Sequence, residues 1–356
     1  MKKFEKFKVP IFFSIRDAVK KMDEVGEAFC VCVDDKDNVI GVITDGDFRN
    51  AVHNGIQLDE SITSILNRDF YSIMTGFEDS EVASIFDNTI VKKIPVLNDD
   101  NKLVDVISIE EFYSEDKCKV RCTIDVPVVI MAGGKGARLD PFTRILPKPL
   151  IPLGNDAVIK VIMDEFGKFG INKFYISLKD KGRMVEAYFH DHELGYRIDY
   201  IYEEEPLGTA GALKYLEDKI KKTFFVSNCD IIIRTDYGSF YDFHEKGGYD
   251  LTLVGSMRQY TIPYGVCTID DGGVLKEIQE KPQYDFLVNT GMYLLEPNVL
   301  QYIPENTSFD MTDLIRKVMK AGLKVGLFPV SEKSWIDVGQ LSEYKDMVNK
   351  LKLRIE

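Results

Sequence analysis

The sequence lacks the features that would place the protein in a membrane or outside the cell. No stretch among its 356 residues approaches about 18 uninterrupted apolar residues, so we expect no membrane span. The opening MKKFEKFKVP has lysines but no apolar run of signal-peptide length. None of the six cysteines forms a CxxC pair, and no His/Cys cluster has the spacing of a zinc site. These absences predict buried thiols in a protein of the reducing cytoplasm.

Excess positive charge is also missing. The 45 Lys and Arg residues are outnumbered by 58 Asp and Glu, which gives a formal charge of −13, and the lysines are scattered. Such a surface repels nucleic acid and anionic lipid, so we expect neither a nucleic-acid nor a membrane partner. Hydrophobic residues make up 45% of the chain. That is enough for two domains with real cores, at about 100–200 residues per domain.

Two similar units follow one another near the start of the chain, in a region predicted to span residues 1–118. Each unit has a helix, two strands joined by a turn and the start of a second helix, and the first helix of the first unit is predicted at 15–25. Internal repetition of this kind is itself a signal of the fold and here predicts an α+β pair. In each unit the second strand ends on a hydroxyl residue that is followed three positions later by an acid: Thr44 and Asp47, then Ser108 and Glu111.

From Val126 onward, after a joint at 116–124, predicted strands alternate with predicted helices. This alternation is typical of an α/β protein with a doubly wound sheet. The strands include 251–257 and 289–295, and the helices include 209–214 and a last one at 341–353.

The most informative segment is the loop at residues 133–149, which follows a predicted buried strand ending at Ala132. Glycines there let backbone N–H groups approach phosphate oxygens without a Cβ clash, and a helix beginning nearby would add its dipole. Arg138 and Lys148 add two cations, and the prolines on either side of Lys148 stiffen its backbone. The Walker A pattern is absent, and the run that begins like a dinucleotide fingerprint ends on Leu139. The loop therefore predicts a nucleoside triphosphate site with backbone contacts from Ala132, Gly133, Gly134 and Gly136.

The loop resembles the signature of the sugar-phosphate nucleotidyltransferases, approximately GGxGTRLxPLTxxxPKPLxP. Ala137 stands where Thr or Ser is usual, and Phe142 stands where Leu is usual. The resemblance continues over residues 125–353. It implies a Rossmann-like doubly wound mixed sheet, the nucleotidyltransferase fold, for residues 125–356. It also implies transfer of a nucleotidyl group from an NTP to a sugar-1-phosphate, with release of pyrophosphate.

Later segments resemble the family's other motifs in identity and order. The run PLGTAG at 206–211 resembles a nucleotide loop along the base, which implies contacts from Pro206, Gly208 and Thr209. Asp230 in SNCD and Asp337 in WIDVG resemble metal-binding acids, so the resemblance implies Mg²⁺ as the cofactor. The segments that resemble the sugar-phosphate site supply Tyr264, Gly265, Glu280, Lys281, Asn289 and Thr290.

These residues are chemically sufficient for in-line attack of the sugar phosphate on the α-phosphorus. The attacking phosphate is already anionic, so catalysis reduces to positioning and charge neutralisation. Carboxylates of Asp230 and Asp337 suit Mg²⁺. Arg138 is expected to neutralise the triphosphate, and Lys148 and Lys281 to hold the two reacting phosphates. Each has a plainer alternative: a strand-end cap for Asp230, a turn acid for Asp337, a surface ion pair for Arg138 and an ordinary turn residue for Lys281.

The base and the sugar are less well defined by the residues. Guanine presents N1–H and an exocyclic amine, and one carboxylate can accept both hydrogen bonds. Glu203 or Glu204, just before the base loop, would serve, although the acidic run 203–205 can equally be a solvated edge. The run EEEPLGTAGAL resembles that of guanylyltransferases for mannose, heptose and glucosamine phosphates. We therefore expect GTP and leave the sugar open among these.

The repeated hydroxyl–acid pattern of the first region resembles a CBS domain pair, in which such positions grip adenosine phosphates. One hypothesis is an adenine nucleotide at Thr44, Asp47, Ser108 and Glu111; the alternative is that the pair only packs and dimerises, and a homo-oligomer is expected. A CBS pair ahead of such a transferase resembles the glucosamine-1-phosphate guanylyltransferases of bacterial legionaminic acid synthesis, which serve surface or flagellar glycans. This resemblance implies glucosamine-1-phosphate as the sugar. The remote alternative is a non-catalytic nucleotide sensor.

Overall fold

The computed structural model describes residues 3–89, 91–113, 123–134, 136–191 and 195–339. Most of the predicted joint at 116–124 and the whole predicted helix at 341–353 lie outside these residues. The chain divides into two compact units, residues 1–121 and residues 122–356. None of the described helices is long and apolar enough to cross a membrane.

The first unit contains two copies of one small fold. In each copy a short strand pairs in parallel with a second strand, which pairs antiparallel with a third. The antiparallel ladders carry matching register shifts, at Cys32/Val33 in the first copy and at Val96/Leu97 in the second. The predicted repeat and its α+β class are therefore confirmed. Its elements are β1 (Lys8–Pro10), α1 (Ile15–Val25), β2 (Phe29–Val33), β3 (Val39–Thr44), α2 (Asp45–His53), β4 (Ile73–Met74), α3 (Asp79–Asn88), β5 (Lys93–Leu97), β6 (Leu103–Ser108) and α4 (Ile109–Phe112).

One apolar cluster joins the two copies. It contains Val31 and Val42 from the first copy and Leu97 and Val106 from the second. Backbone pairing supplements the cluster, because the N–H of Val39 donates to the carbonyl of Asn101 at 2.9 Å. The copies therefore share a core instead of forming two independent modules.

The second unit is built around a mixed sheet. Within the described residues this sheet has seven strands in the order β11-β10-β7-β12-β17-β14-β18. Its elements are β7 (Val128–Met131), β8 (Pro152–Leu153), β9 (Asp156–Ala157), α5 (Val158–Gly167), β10 (Lys173–Leu178), α6 (Gly182–Asp191), β11 (Arg197–Tyr202), β12 (Phe224–Asn228), β13 (Ile231–Ile233), α7 (Tyr237–Gly247), β14 (Leu251–Thr261), β15 (Val266–Ile269), β16 (Leu275–Gln279), β17 (Gln283–Leu295), α8 (Met311–Lys320), β18 (Val325–Val330) and β19 (Trp335–Asp337). Strands β11, β10, β7 and β12 are mutually parallel, whereas β17 is antiparallel to both of its neighbours. The predicted doubly wound mixed sheet is confirmed.

Both faces of this sheet are covered. Successive residues of β7 point to opposite faces, so Val128 and Ile130 join one apolar cluster while Val129 and Met131 join another. Residues of α5, α6 and α7 contribute to the first cluster, and residues of α8 contribute to the second. Burial on both faces explains why the strand reads as a continuous apolar run in the sequence.

Two sequence predictions differ from the structure in extent or type. The segment predicted as a helix at 209–214 forms a 3-10 helix at Gly211–Leu216. Strands β14 and β17 are longer than the predicted 251–257 and 289–295, and they pair with each other as far as Thr261 and Gln283. That extension is mostly exposed to solvent, so it lacks the buried pattern by which a strand is recognised, and backbone pairing alone continues it.

The residues that follow the parallel strands lie at one edge of the sheet. Met131 at the end of β7 lies opposite Ser177 of β10 and Asn228 of β12, and Tyr202 of β11 lies opposite Leu178. Chain segments that leave these carboxyl ends must therefore meet there, as at the ligand edge of other open α/β sheets.

The cysteines follow the prediction only in part. Cys30, Cys32 and Cys229 are buried, and burial raises the pKa of their thiols to about 12, about 11 and about 12, respectively. Cys267 is exposed, so its expected burial is wrong, because β15 lies in a hairpin whose side chains are mostly exposed. Cys118 and Cys122 lie outside the described residues.

Phe225 tests the packing of the central core. Its side chain is 0% exposed, and its ring lies 5.3 Å from that of Phe166 and 5.7 Å from that of Phe240, between ring centroids. Phe225→Ala should lower the free energy of unfolding by about 3–5 kcal/mol, because the cavity cannot fully collapse. Urea denaturation measures the change. Met319→Ala, at a side chain that is 59% exposed, is the control and should stay within about 0.5 kcal/mol; equal effects of the two changes would contradict this core.

Candidate functional site

The glycine loop leaves the carboxyl end of β7 without entering a regular helix. The N–H of Ala132 donates to the carbonyl of Ser177 at 3.0 Å, which extends the β7–β10 ladder by one residue. Gly136 has a φ of +66°, a conformation that favours glycine. The described residues that follow form only short 3-10 turns, at Ala137–Leu139, Phe142–Arg144 and Lys148–Leu150. The expected helix dipole at this loop is therefore wrong, because the prolines of the segment interrupt any longer helix.

A buried carboxylate lies at the junction of the two predicted nucleotide loops. Glu203, directly after β11, is 7% exposed, and its Oε1 accepts a hydrogen bond from the Ser177 hydroxyl. Its Oε2 accepts the backbone N–H of Leu207 at 3.0 Å. A Cβ on Gly133 would collide with the same carboxylate, so residue 133 must be glycine for Glu203 to lie there. Glu204, the alternative base acceptor, is exposed.

The two predicted metal ligands converge on Gly339. Asp230 follows β12 and Asp337 ends β19, and the pairing of β13 with β19 places Ile231 opposite Asp337. A Cβ on Gly339 would lie 2.9 Å from Asp337 Oδ1 and would collide with Asp230 Oδ2. The N–H of Gly339 donates to Asp337 Oδ1 at 2.7 Å, which orients that carboxylate. The structure therefore brings together two acids that lie more than 100 residues apart in the sequence.

The carboxylate pair fits Mg²⁺. This ion is usually held by one or two protein carboxylates, and substrate phosphates and water complete its six oxygen ligands. Among the described residues no group of three or more His, Cys, Asp or Glu side chains gathers into a dedicated metal cage. Two carboxylates at the ligand edge are therefore the donor set that a phosphate-bound Mg²⁺ needs.

Lys148 reaches the same acids from the glycine loop. Its Nζ forms an ion pair with Asp230 Oδ2, and the two side chains are only 12% and 9% exposed. Gly136 lies beneath it, because a Cβ there would be 3.1 Å from the Cβ of Lys148. The sequence predicted Lys148 and Asp230 as separate site residues, and the structure adds that they are direct partners. Arg138, the second predicted cation of the loop, is exposed.

Four predicted sugar-phosphate residues meet at the open end of the hairpin formed by β15 and β16. The N–H of Lys281 donates to the carbonyl of Tyr264 at 3.3 Å, and a Cβ on Gly265 would lie 3.1 Å from Glu280 Oε2. All four residues are exposed. Lys281 has a φ of +47°, which is uncommon for a residue with a side chain and marks a constrained turn. The structure thus brings Tyr264, Gly265, Glu280 and Lys281 into one surface cluster.

Asn289 and Thr290 have different surroundings. The Asn289 amide donates to the Tyr293 hydroxyl at 2.9 Å. Thr290 is 3% exposed and its hydroxyl donates to the carbonyl of Val254 at 2.9 Å. This position does not support the predicted substrate contact for Thr290, because its polar group is already used within the sheet. The following Gly291 packs against Asn228, so this part of β17 reaches the ligand edge beside β12.

In the predicted base loop, Thr209 also differs from the prediction. Its hydroxyl donates to Asp310 Oδ1 at 3.2 Å and accepts the N–H of Met311 at 2.8 Å, and its own N–H donates to Asp310 at 3.0 Å. A hydroxyl has one hydrogen to donate, so these polar groups are directed at the protein and not at a nucleotide. Pro206 and Gly208 are exposed beside it, and the φ of Gly208 is +76°.

In the first unit, the predicted adenine-nucleotide residues lie at the starts of two helices. Thr44 and Asp47 form a reciprocal capping box at the start of α2, in which the Thr44 hydroxyl accepts from Asp47 N and Asp47 Oδ2 accepts from Thr44 N. At the start of α4 the Ser108 hydroxyl accepts the N–H of Glu111 at 3.2 Å. Helix capping therefore explains Thr44, Asp47 and the Ser108 hydroxyl locally.

Sequence reasoning missed three residues of the site. Ser177 and Asp310 carried no sequence signal, because long-range pairing brings them to Glu203 and Thr209. Gly339 stood inside the quoted WIDVG motif, and its place two residues after Asp337 could have singled it out as a close neighbour of that acid.

Comparison with known families agrees with this geometry. The family described as "Nucleotidyl transferase" matches residues 127–353, which is more than half of the chain. The chain belongs to the nucleotidyl transferase family. The family described as "CBS domain" matches residues 5–54, which cover the first copy of the repeat. The fold predicted for each region is therefore confirmed.

The names of several relatives specify the transfer of different nucleotides. A UTP–glucose-1-phosphate uridylyltransferase of Synechocystis is 29% identical over 61% of this chain and 61% of its own length. A mannose-1-phosphate guanyltransferase of Saccharomyces cerevisiae is 32% identical over 61% of this chain and 62% of its own length. This chain thus spans about three fifths of the length of the curated relatives it matches. Among solved structures, HddC from Yersinia pseudotuberculosis complexed with GMP-PN has a TM-score of 0.50 and 26% identity, covering 64% of this chain and 99% of its own.

Neighbouring glycines test the arrangement around Glu203. Gly133→Ala should lower the free energy of unfolding by about 1–3 kcal/mol, because the new methyl group overlaps a buried carboxylate. Gly134→Ala should change it by no more than about 0.5 kcal/mol, because no described atom beyond the chain neighbours lies within 4 Å of a Cβ at that position. Both values come from denaturant unfolding without nucleotide. Equal stability of the two variants would contradict the contact between Gly133 and Glu203.

Proposed function

We propose that the second unit transfers a nucleotidyl group from an NTP to a sugar-1-phosphate and releases pyrophosphate. The observation that carries this proposal is the convergence of Asp230 and Asp337 on Gly339, with Lys148 of the glycine loop paired to Asp230. Membership of the nucleotidyl transferase family supports it. In the reaction an oxygen of the sugar phosphate forms a bond to the α-phosphorus. The bond from that phosphorus to pyrophosphate breaks, and the electron pair leaves with pyrophosphate.

The residues of the chain supply charge and position to this reaction. Arg138 on the glycine loop neutralises the triphosphate. Lys148 on the same loop and Lys281 in the surface cluster with Glu280 hold the two reacting phosphates. The reacting groups are all anionic, so holding them together against repulsion is the main requirement. Mg²⁺ held by Asp230 and Asp337 would supply further charge neutralisation at the phosphates.

GTP is the proposed nucleotide. Glu203 accepts one hydrogen bond on each oxygen, and each carboxylate oxygen has a second lone pair. A fixed acceptor of this kind beside the loop at 206–211 suits the two donors of guanine. The guanyltransferase named among the relatives and the GMP-PN complex support GTP, whereas the uridylyltransferase leaves UTP as the competing choice.

Glucosamine-1-phosphate is the proposed sugar, and the pathway is legionaminic acid synthesis for bacterial surface glycans. The CBS domain ahead of a nucleotidyl transferase supports this combination. Mannose-1-phosphate and heptose-1-phosphate are the alternatives. For the first unit, we propose adenine-nucleotide binding and a homo-oligomer. Binding requires the Asp47 carboxylate to accept ligand hydrogen bonds in addition to its bond to Thr44 N, and the Glu111 carboxylate to accept them as well.

Pyrophosphate release over a panel of NTPs and sugar-1-phosphates tests the proposal. We expect the highest kcat/KM with GTP and glucosamine-1-phosphate. Turnover with UTP or a heptose phosphate, and none with the proposed pair, would overturn the substrate assignment while keeping the reaction class. No release with any pair would overturn the reaction itself.

Asp230→Asn tests the role of the carboxylate pair. The amide keeps the size of the side chain but loses the charge, so kcat should fall at least about 100-fold. Asp242→Asn, at an exposed acid that pairs with Lys246 on α7, is the matched control and should retain turnover. Full activity of Asp230→Asn would refute the metal role.

Glu203→Gln tests the base assignment. An amide has one acceptor oxygen, so kcat/KM for GTP should fall about tenfold or more relative to kcat/KM for UTP. Glu204→Gln, at the exposed neighbour, is the comparison. A loss confined to Glu204→Gln would move the base contact to that residue, and no change in either ratio would argue against carboxylate recognition of guanine.

A further inference from the structure

Asp310 holds the loop at 206–211 at a different residue from Glu203. It immediately precedes α8 and lies 101 residues beyond Thr209 in the sequence. Asp310 Oδ1 accepts both the N–H of Thr209, at 3.0 Å, and its hydroxyl, at 3.2 Å. One carboxylate oxygen therefore fixes both the backbone and the side chain of the central residue of the loop.

The start of α8 exchanges its usual cap for this contact. An Asp at the N-cap position ordinarily accepts an N–H from the first turn of its own helix, but Asp310 makes no such side-chain bond. The Thr209 hydroxyl instead accepts the N–H of Met311 at 2.8 Å. The loop thus caps the helix while the helix cap holds the loop, so neither can move without breaking bonds of the other.

Backbone contacts make the same junction tight. The carbonyl of Phe309 accepts the N–H of Ala210 at 2.9 Å and that of Gly211 at 3.1 Å. The N–H of Phe309 donates to the carbonyl of Leu207 at 2.9 Å. A Cβ on Gly208 would lie 2.8 Å from both Asp310 Oδ1 and the Phe309 carbonyl. The loop therefore has no room to approach the helix further, and its position is set by residues 309–311.

We infer that Asp310 is a positioning residue for the nucleotide, which acts by fixing the base loop against α8. Glu203 holds the N–H of Leu207 at one end of the loop, and Asp310 holds Thr209 in the middle. Releasing Thr209 frees the exposed Gly208 and weakens every contact that the loop makes to the base. The inference rests on the proposed function, because it assigns the loop to the NTP.

The test compares three changes in steady-state kinetics and in direct binding of GTP by calorimetry. Asp310→Ala should raise the KM and Kd for GTP about tenfold, because it removes two hydrogen bonds to a charged acceptor at an exposed position. The KM for the sugar phosphate and kcat at saturation should stay within about twofold. Asp310→Asn retains Oδ1 as an acceptor and should recover most of the affinity. Asp313→Ala, at an exposed acid on α8 that pairs with Arg316, is the control and should match the wild type.

A double-mutant cycle with Thr209→Val makes the test specific. If Asp310 acts through Thr209, the effects of Thr209→Val and Asp310→Ala on GTP affinity should be strongly non-additive. An unchanged KM and Kd for GTP in Asp310→Ala would overturn the inference. A lower kcat, a higher KM for both GTP and the sugar phosphate, and a lower Tm would also overturn it if Asp310→Asn did not reverse them. That pattern reports damage to the fold.

Failure of the proposed function has a different signature. A wild-type protein that binds GTP but releases no pyrophosphate with any sugar phosphate would refute the reaction. The GTP affinity of Asp310→Ala relative to the wild type would still decide the role of Asp310. A wild-type protein that binds none of the NTPs would overturn both.

Discussion

The ion pair between Lys148 and Asp230 is the contact on which the geometry of the site depends. Both side chains are nearly buried, and removing one member of such a pair leaves an uncompensated charge that typically costs about 3–5 kcal/mol. The pair joins the proline-flanked end of the glycine loop to the carboxyl end of β12. Because Asp337 lies against the same Gly339 as Asp230, the ammonium of Lys148 also offsets the repulsion between two neighbouring acids. A loop that glycine would otherwise leave mobile is thereby tied to the rigid sheet.

Carboxylates also hold the glycine-containing loops in place where these loops contact the sheet and α8. Glycine-rich segments lose more conformational entropy on folding than others, so they need specific contacts to hold a single position. Glu203 accepts a backbone N–H of the base loop from the end of β11, and Asp310 accepts another from the start of α8. Each carboxylate lies where a Cβ on a loop glycine would intrude. The glycines at 133 and 208 are thus explained by carboxylates that pack against them.

Local patterns allowed much of the fold to be predicted, whereas long-range contacts were not predictable. The helix predicted at 15–25 has those bounds, because Ser14 and Asp17 form a capping box and Gly26 ends the helix with a φ of +74°. The signature loop and both acids of the proposed metal site were recognisable from motifs. The pairing of Lys148 with Asp230 and of Thr209 with Asp310 spans 82 and 101 residues, and no periodicity or spacing encodes such partners. The exposed extension of β14 and β17 was not predicted, because a sequence shows the pattern of burial and does not show backbone pairing.

Under the proposed role of Glu203 in base recognition, its partners allow one fold to serve different bases. A glutamine at this position would carry one acceptor and one donor group, yet the N–H of Leu207 can only donate. Its amide oxygen would have to face Leu207, which leaves the amide NH₂ facing Ser177. The Ser177 hydroxyl can rotate and accept that hydrogen, since a hydroxyl both donates and accepts. A change from carboxylate to amide therefore needs no movement of either loop. Relatives named for guanylyl and for uridylyl transfer are compatible with a single scaffold in which the Ser177 hydroxyl, able to donate or accept, bonds to the proposed base-recognition residue.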